Sequence, residues 1–83
     1  MGDGCVRVNV LFFGATAAIV GTRIMPLKTD HKDAGAVVHQ VATEYPALAY
    51  HRLIFSVNQA YVPPETLLKD GDEIAIFTAV SGG

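Results

Sequence analysis

The residues of this chain best suited to chemistry are its last three, Ser81-Gly82-Gly83, which directly follow an apolar run. Glycine carries no Cβ, so a Gly82-Gly83 end can thread a narrow channel and adopt φ values closed to other residues. Four residues beyond a strand reach roughly 13 Å when extended, at about 3.3 Å each, enough to place a terminal carboxylate inside another protein's active site. Such a carboxylate is ionised at neutral pH and is a poor electrophile. It becomes reactive once activated, for example as an acyl adenylate, from which a sulfide equivalent or a lysine amine displaces AMP. The sequence has no phosphate-binding glycine loop, so the activating enzyme and its ATP must come from outside the chain. A glycine-rich end also has the simpler reading of a frayed terminus.

Other reactive residue types form no comparable pattern. His31, His39 and His51 lack metal-ligand spacing and have no cysteine pair beside them, so no metal is expected. Cys5 stands at the start of a strand-like run, where a small packing residue is the simpler reading. Asp70, Asp72 and Glu73 are accounted for by a turn, Glu44 and Glu65 read as solvent-facing, and no Ser-His-Asp set is recognisable.

The elements that position the tail must fit in 83 residues, enough for one compact domain over 1–83, with 79–83 expected as a flexible tail. Hydrophobic residues make up 51% and charged residues 17%, a globular balance. The formal charge is −2 and no Lys/Arg run occurs, which gives no basis for nucleic-acid binding. No apolar stretch is long enough to span a bilayer. With one cysteine and no signal-peptide pattern, a reducing cytoplasmic setting is expected.

Val6, Val8, Val10 and Phe12 alternate with Arg7, Asn9 and Leu11 at the period of a strand. Residues 15–21 read as a loop with room for a short helical turn. Arg23 to Thr29 form a second strand, and Pro26, which cannot donate to a ladder, places it at a sheet edge. Within Thr29 to Pro46, Asp30 and Asp33 are candidate N-caps, and Val37, Val38, Val41 and Tyr45 recur at helical spacing. An irregular link over 47–52 leads to a third strand with Leu53, Phe55 and Val57 on one face. Lys69-Asp70-Gly71-Asp72 is a turn, and the last strand runs from Glu73 to about Val80. Strand, strand, helix, strand, strand describes a two-layer α+β domain. Pairing the first and last strands at the sheet centre makes it a β-grasp. If Ile74 and Ile76 face the helix, then Phe77 faces away, and Leu11 and Phe13 join it on an outer apolar face suited to a partner.

Val10-Leu11-Phe12-Phe13-Gly14, Val20-Gly21-Thr22, Val57-Asn58-Gln59, Asp70-Gly71-Asp72-Glu73-Ile74-Ala75 and Val80-Ser81-Gly82-Gly83 follow one another over nearly the whole chain. In that order they resemble the small subunit of molybdopterin synthase, a ubiquitin-like sulfur carrier. The resemblance implies a β-grasp fold with a mixed sheet. It implies that an E1-like enzyme adenylates Gly83, that a sulfur donor converts it to a thiocarboxylate, and that the sulfur attacks cyclic pyranopterin monophosphate in the large subunit. It also implies an assembly of two small and two large subunits, no cofactor bound by this chain, and partner contacts at Phe13, Tyr61, Phe77, Val80 and Ser81. The chain departs from the family pattern twice. Thr78-Ala79 replace a usual proline pair, which leaves the tail looser or the last strand longer by a pair; Ala17 replaces a common arginine.

Other readings remain open on the same residues. The chemistry also suits a carrier for thiamine or transfer-RNA thiolation, and a ubiquitin-like modifier would join Gly83 to lysines. A non-catalytic interaction domain would be indifferent to loss of Gly83.

Overall fold

Alternation of Val6, Val8, Val10 and Phe12 with polar and half-exposed neighbours produces strand β1 (Val6–Phe12), its even-numbered residues turned into the core from Val8 onward. The computed structural model describes residues 4–79. Gly14 follows β1 at φ 59°, ψ −127°, a backbone state that suits glycine, and turns the chain into helix α1 (Ala15–Val20). Gly21 ends this helix in the left-handed conformation, its N–H donating to the Ala17 carbonyl. The segment read as a loop is therefore six residues of helix. Glycines at both ends and burial of Thr16 sustain a helix too short to stand alone.

Strand β2 (Ile24–Thr29) pairs antiparallel with β1 and forms one edge of the sheet. The backbone bond from Phe12 N to Arg23 O sets the ladder phase. Counting in twos from it, Ile24, Pro26 and Lys28 turn their backbone groups away from β1, so Pro26 costs no ladder bond.

Helix α2 (Ala34–Glu44) starts at the second of its two candidate caps. Thr29 still belongs to β2, and Asp33 is the N-cap, its Oδ1 accepting from Ala36 N at 2.7 Å. Ala34, Val37 and Val41 are its buried stripe. The link over 47–52, expected to be irregular, is largely a 3-10 helix (Pro46–Tyr50), with Pro46 at its first turn and Leu48 fully buried. Burial of Leu48 supplies the order that local propensity does not.

Strand β3 (Leu53–Val57) and strand β4 (Glu73–Thr78) pair antiparallel, while β4 runs parallel to β1. The strand order is β2-β1-β4-β3, a mixed sheet with the first and last strands at its centre. This is the β-grasp arrangement. Val10, Phe12, Ile74 and Ile76 from the central strands meet Val37, Val41 and Leu48 in the core.

The stretch between β3 and β4 is held by its own polar residues. Asn58 and Gln59 both have positive φ, 50° and 70°, and Val57 and Ala60 exchange backbone hydrogen bonds across them. That is the pattern of a two-residue hairpin turn with a primed twist. The Pro63–Leu68 segment is laced to the start of α2: Ala34 N donates to Thr66 O, Gly35 N to Pro64 O and Leu68 N to Lys32 O.

Candidate functional site

The outer face of the sheet, opposite α2, carries the residues expected to meet a partner. Register places Ile24, Leu11, Ala75 and Ser56 in one row across all four strands, and Phe77 directly opposite Ile54 in the next. The β1–β4 register, continued one step past Phe12 and Ile76, sets Phe13 beside Phe77. The Phe13 N–H donates to Ile76 O at 3.4 Å. Phe13 is 52% exposed and Phe77 half-buried. Tyr61 closes on Phe77 edge-to-face, ring centroids 6.1 Å apart and planes at 72°, while remaining 74% exposed. The turn after β3 therefore brings Tyr61 to the two phenylalanines, a meeting that no local spacing announces.

A shallow groove of ≈ 520 Å³ runs along this face, lined by Leu11, Phe13, Gly14, Ala17, Arg23 and Ile24 among others. Ile24, 57% exposed, and Ile54, half-buried, belong to the same apolar surface but were not singled out from sequence. Their alternation with core residues on β2 and β3 was the available signal. Thr16 was also missed. Fully buried, its Oγ1 accepts from Phe13 N at 3.0 Å and lies 2.8 Å from Phe13 O and 2.9 Å from Ile76 O, the candidates for its one proton. This hydroxyl locks the backbone of Phe13 to β4.

The same two rows lead to the tail. After Thr78 the Ala79 N–H donates to Arg52 O at 2.8 Å, so the β3–β4 ladder runs one bond beyond the strand. Alanine at 79 supplies a donor that proline would lack. Val80, Ser81, Gly82 and Gly83 lie outside the described residues. Ala79 thus stands two residues past Phe77, and four residues of sequence follow it.

Among the described residues no group of three His, Cys, Asp or Glu side chains is placed to hold a metal, and no helix is long and apolar enough to cross a membrane. The acidic cluster works as turn scaffold. Asp70 Oδ1 accepts from Arg7 N at 2.9 Å, and Asp72 Oδ2 accepts from Lys69 N at 2.8 Å.

The sequence profile of the ThiS family matches residues 10–83. The chain belongs to the ThiS family. Among its relatives are the molybdopterin synthase sulfur carrier subunits of Mycobacterium tuberculosis, 39% identical over 94% of this chain and 99% of the relative, and of Haemophilus influenzae, 38% identical over 92% and 99%. Two solved structures extend the likeness. Small archaeal modifier protein 1 from Methanosarcina acetivorans superposes with a TM-score of 0.80 at 28% identity, over 95% of this chain and 98% of that one. A subunit in the complex of subunits 1 and 2 of the molybdopterin-converting factor from Helicobacter pylori superposes with a TM-score of 0.65 at 25% identity, over 94% and 100%. The matched span contains Leu11, Phe13 and Phe77 of the outer face as well as the terminal Gly82-Gly83.

Proposed function

We propose that this ThiS-family chain is the sulfur-carrying small subunit of a molybdopterin synthase and acts through a thiocarboxylate at Gly83. One observation carries the reading: the apolar row of Phe13, Phe77 and Ile54 lies one same-face step along β4 from Ala79, which bonds Arg52. A partner seated on that row lies next to the four-residue tail, whose reach of roughly 13 Å suffices to enter an active site. The relatives named as sulfur carrier subunits support the assignment of pathway.

The chemistry begins on an E1-like adenylating enzyme. A Gly83 carboxylate oxygen attacks the α-phosphate of ATP and pyrophosphate leaves. A sulfide equivalent then attacks the acyl carbon, expels AMP and leaves a thiocarboxylate. In the large subunit this sulfur attacks a carbon of cyclic pyranopterin monophosphate, and the bond from that carbon to its oxygen substituent breaks as the carbon–sulfur bond forms. Water cleaves the remaining acyl–sulfur bond, returning the Gly83 carboxylate and leaving sulfur on the pterin. A dithiolene needs two sulfurs, so two carrier cycles serve each product, consistent with two small and two large subunits. In this scheme the chain binds neither ATP nor metal, and its surfaces serve to position the tail, with Val80 and Ser81 lying in the channel of the large subunit.

The test is the intact mass after incubation with ATP, a sulfur source and an activating enzyme of the family. The expected shift equals replacement of one oxygen by sulfur and is absent when Gly83 is deleted. A mass unchanged across several competent activating enzymes overturns the reading.

The likeness to an archaeal modifier protein favours a second use of the same end. Attack on the adenylate, or on a thioester derived from it, by a lysine amine would give an isopeptide. Gly83-linked conjugates recovered from cells would establish that role.

A further inference from the structure

The two edges of the sheet are finished differently. On β2 the outward positions are Ile24, Pro26 and Lys28. The Thr22 hydroxyl bonds both backbone groups of Ile24, donating to its carbonyl at 3.0 Å and accepting from its N–H at 3.4 Å, and Pro26 has no N–H. That edge is blunted against strand addition.

On β3 the phase is set by Asn58 N bonded to Glu73 O and Ala79 N bonded to Arg52 O. Ile54 and Ser56 share their phase and bond β4, whereas Leu53, Phe55 and Val57 turn their backbone groups outward. Val57 is satisfied by Ala60 through both its N–H and its carbonyl. Leu53 and Phe55 have no such partner among the described residues. Two donors and two acceptors therefore line a short open edge, and the side chains of Leu53 and Phe55 are only half-buried there.

We infer that this edge receives an extended apolar segment of the protein that takes the tail, paired as a fifth strand beside β3. The inference rests on the carrier reading and names a second contact for the same partner. Three features define the occupant. The slot is short, because Ala60 already holds the position opposite Val57. Residues paired with Leu53 and Phe55 place their side chains on the core side, and the residue between them lies beside Ile54 on the outer face, so all three are best apolar. The slot begins next to Arg52, the residue that anchors Ala79, so a strand there is continuous with the outer apolar row and the tail exit.

A second copy of this chain is the less favourable occupant. Two β3 edges joined antiparallel, Leu53 opposite Phe55 in both senses, would bring His51 of the partner opposite Val57, where Ala60 already sits. An extended segment of a different protein avoids this obstacle by turning away after the three positions beside Leu53, Ile54 and Phe55.

Backbone amide exchange tests the proposal directly, with the purified large subunit of molybdopterin synthase as probe. Alone, the chain should exchange Leu53 and Phe55 amides fast and Ile54 and Ser56 slowly. In the complex, Leu53 and Phe55 should become protected. Leu53→Pro removes one outward donor at the first position of the strand without touching a β4 bond, and should raise Kd about tenfold. Side-chain loss alone is controlled by Leu53→Ala, which should raise it less. A complex that forms with both amides still exchanging fast overturns the edge proposal and leaves the carrier reading standing. Protection of both amides in the concentrated chain alone would assign the edge to self-association and overturn it too. Absence of any complex overturns the edge proposal and the assignment to a molybdopterin synthase, while the carrier chemistry stands or falls separately by the mass assay.

Discussion

Asn58 Nδ2 donates to Asp72 Oδ1 at 2.9 Å, joining the turn after β3 to the turn before β4. Asn58 Oδ1 also accepts from Glu73 N at 3.0 Å, and Asn58 N donates to Glu73 O at 2.8 Å. Two motifs separated in sequence, Val57-Asn58-Gln59 and Asp70-Gly71-Asp72-Glu73, are thus one structural unit that sets the start of β4. Since β4 carries Phe77, the unit anchors the start of the strand that presents Phe77 to the outer face.

Asn58→Ala should therefore destabilise the fold. It removes two side-chain hydrogen bonds and places alanine at φ 50°. A loss of about 1–3 kcal/mol is expected in urea unfolding, from the bonds and the left-handed backbone together. Asn58→Gly should recover part of it by relieving the backbone. Equal stability of all three forms would show that the unit does not matter.

Thr16→Val keeps the shape of a buried side chain and removes its hydroxyl. The Phe13 N–H loses the shorter of its two bonds and a buried carbonyl loses a donor, so about 1–3 kcal/mol should be lost. The melting temperature reads this loss. Affinity for a large subunit should also fall, because Phe13 is then held to β4 only by its longer bond to Ile76 O. Unchanged stability would mean that the hydroxyl is dispensable.

Gly35 faces Pro64 so closely that an added Cβ would lie 2.7 Å from the proline Cβ and 3.2 Å from its carbonyl oxygen. The bond from Gly35 N to Pro64 O, 2.8 Å, holds the two segments together. Gly35→Ala should cost about 1–3 kcal/mol through overpacking, despite alanine's better helix propensity. A more stable variant in thermal unfolding would show that the Pro63–Leu68 segment yields without penalty.

Phe13→Ala separates binding from folding. With half its surface exposed, Phe13 should contribute under about 1.5 kcal/mol to stability. If it anchors the large subunit, its removal should cost about 2 kcal/mol or more in affinity, measured by calorimetric titration. Phe77→Ala should lower both quantities, since Tyr61 and Ile54 lean on the ring from within the domain. Full affinity in Phe13→Ala would remove the outer face from the interface.

Deletion of Gly83, or addition of one residue after it, should abolish sulfur transfer while the unfolding curve stays unchanged. The proposed site of chemistry lies beyond Ala79, and the fold up to Ala79 is held by bonds among other residues, such as that from Ala79 N to Arg52 O. Normal product formation by either variant would refute the carrier mechanism.

The strands, the main helix and the edge position of β2 were legible because each depends on near neighbours. Val6 to Phe12 alternate with the period of a half-buried strand, Val37 and Val41 recur at helical spacing, and Pro26 is compatible only with an outward-facing N position. The order of elements then led to a β-grasp, and parity alone placed Leu11, Phe13 and Phe77 on the outer surface. Two segments read differently. Residues 15–20 and 46–50 carry weak local signals and become helical because Thr16 and Leu48 are buried by distant residues.

What the sequence determined by itself was therefore the set of elements, the face each strand presents to the core, and the chemically suitable Gly82-Gly83 end. The tertiary structure decided which residues meet: Tyr61 on Phe77, Thr16 on Ile76, Asn58 on Asp72, and Ala79 on Arg52. It also decided the ladder phase that leaves Leu53 and Phe55 facing outward at the open edge. Periodicity records how a side chain sits on its own element. Register and hydrogen-bond phase arise only when separate strands pair, and a shift of one residue would exchange every outward group for an inward one.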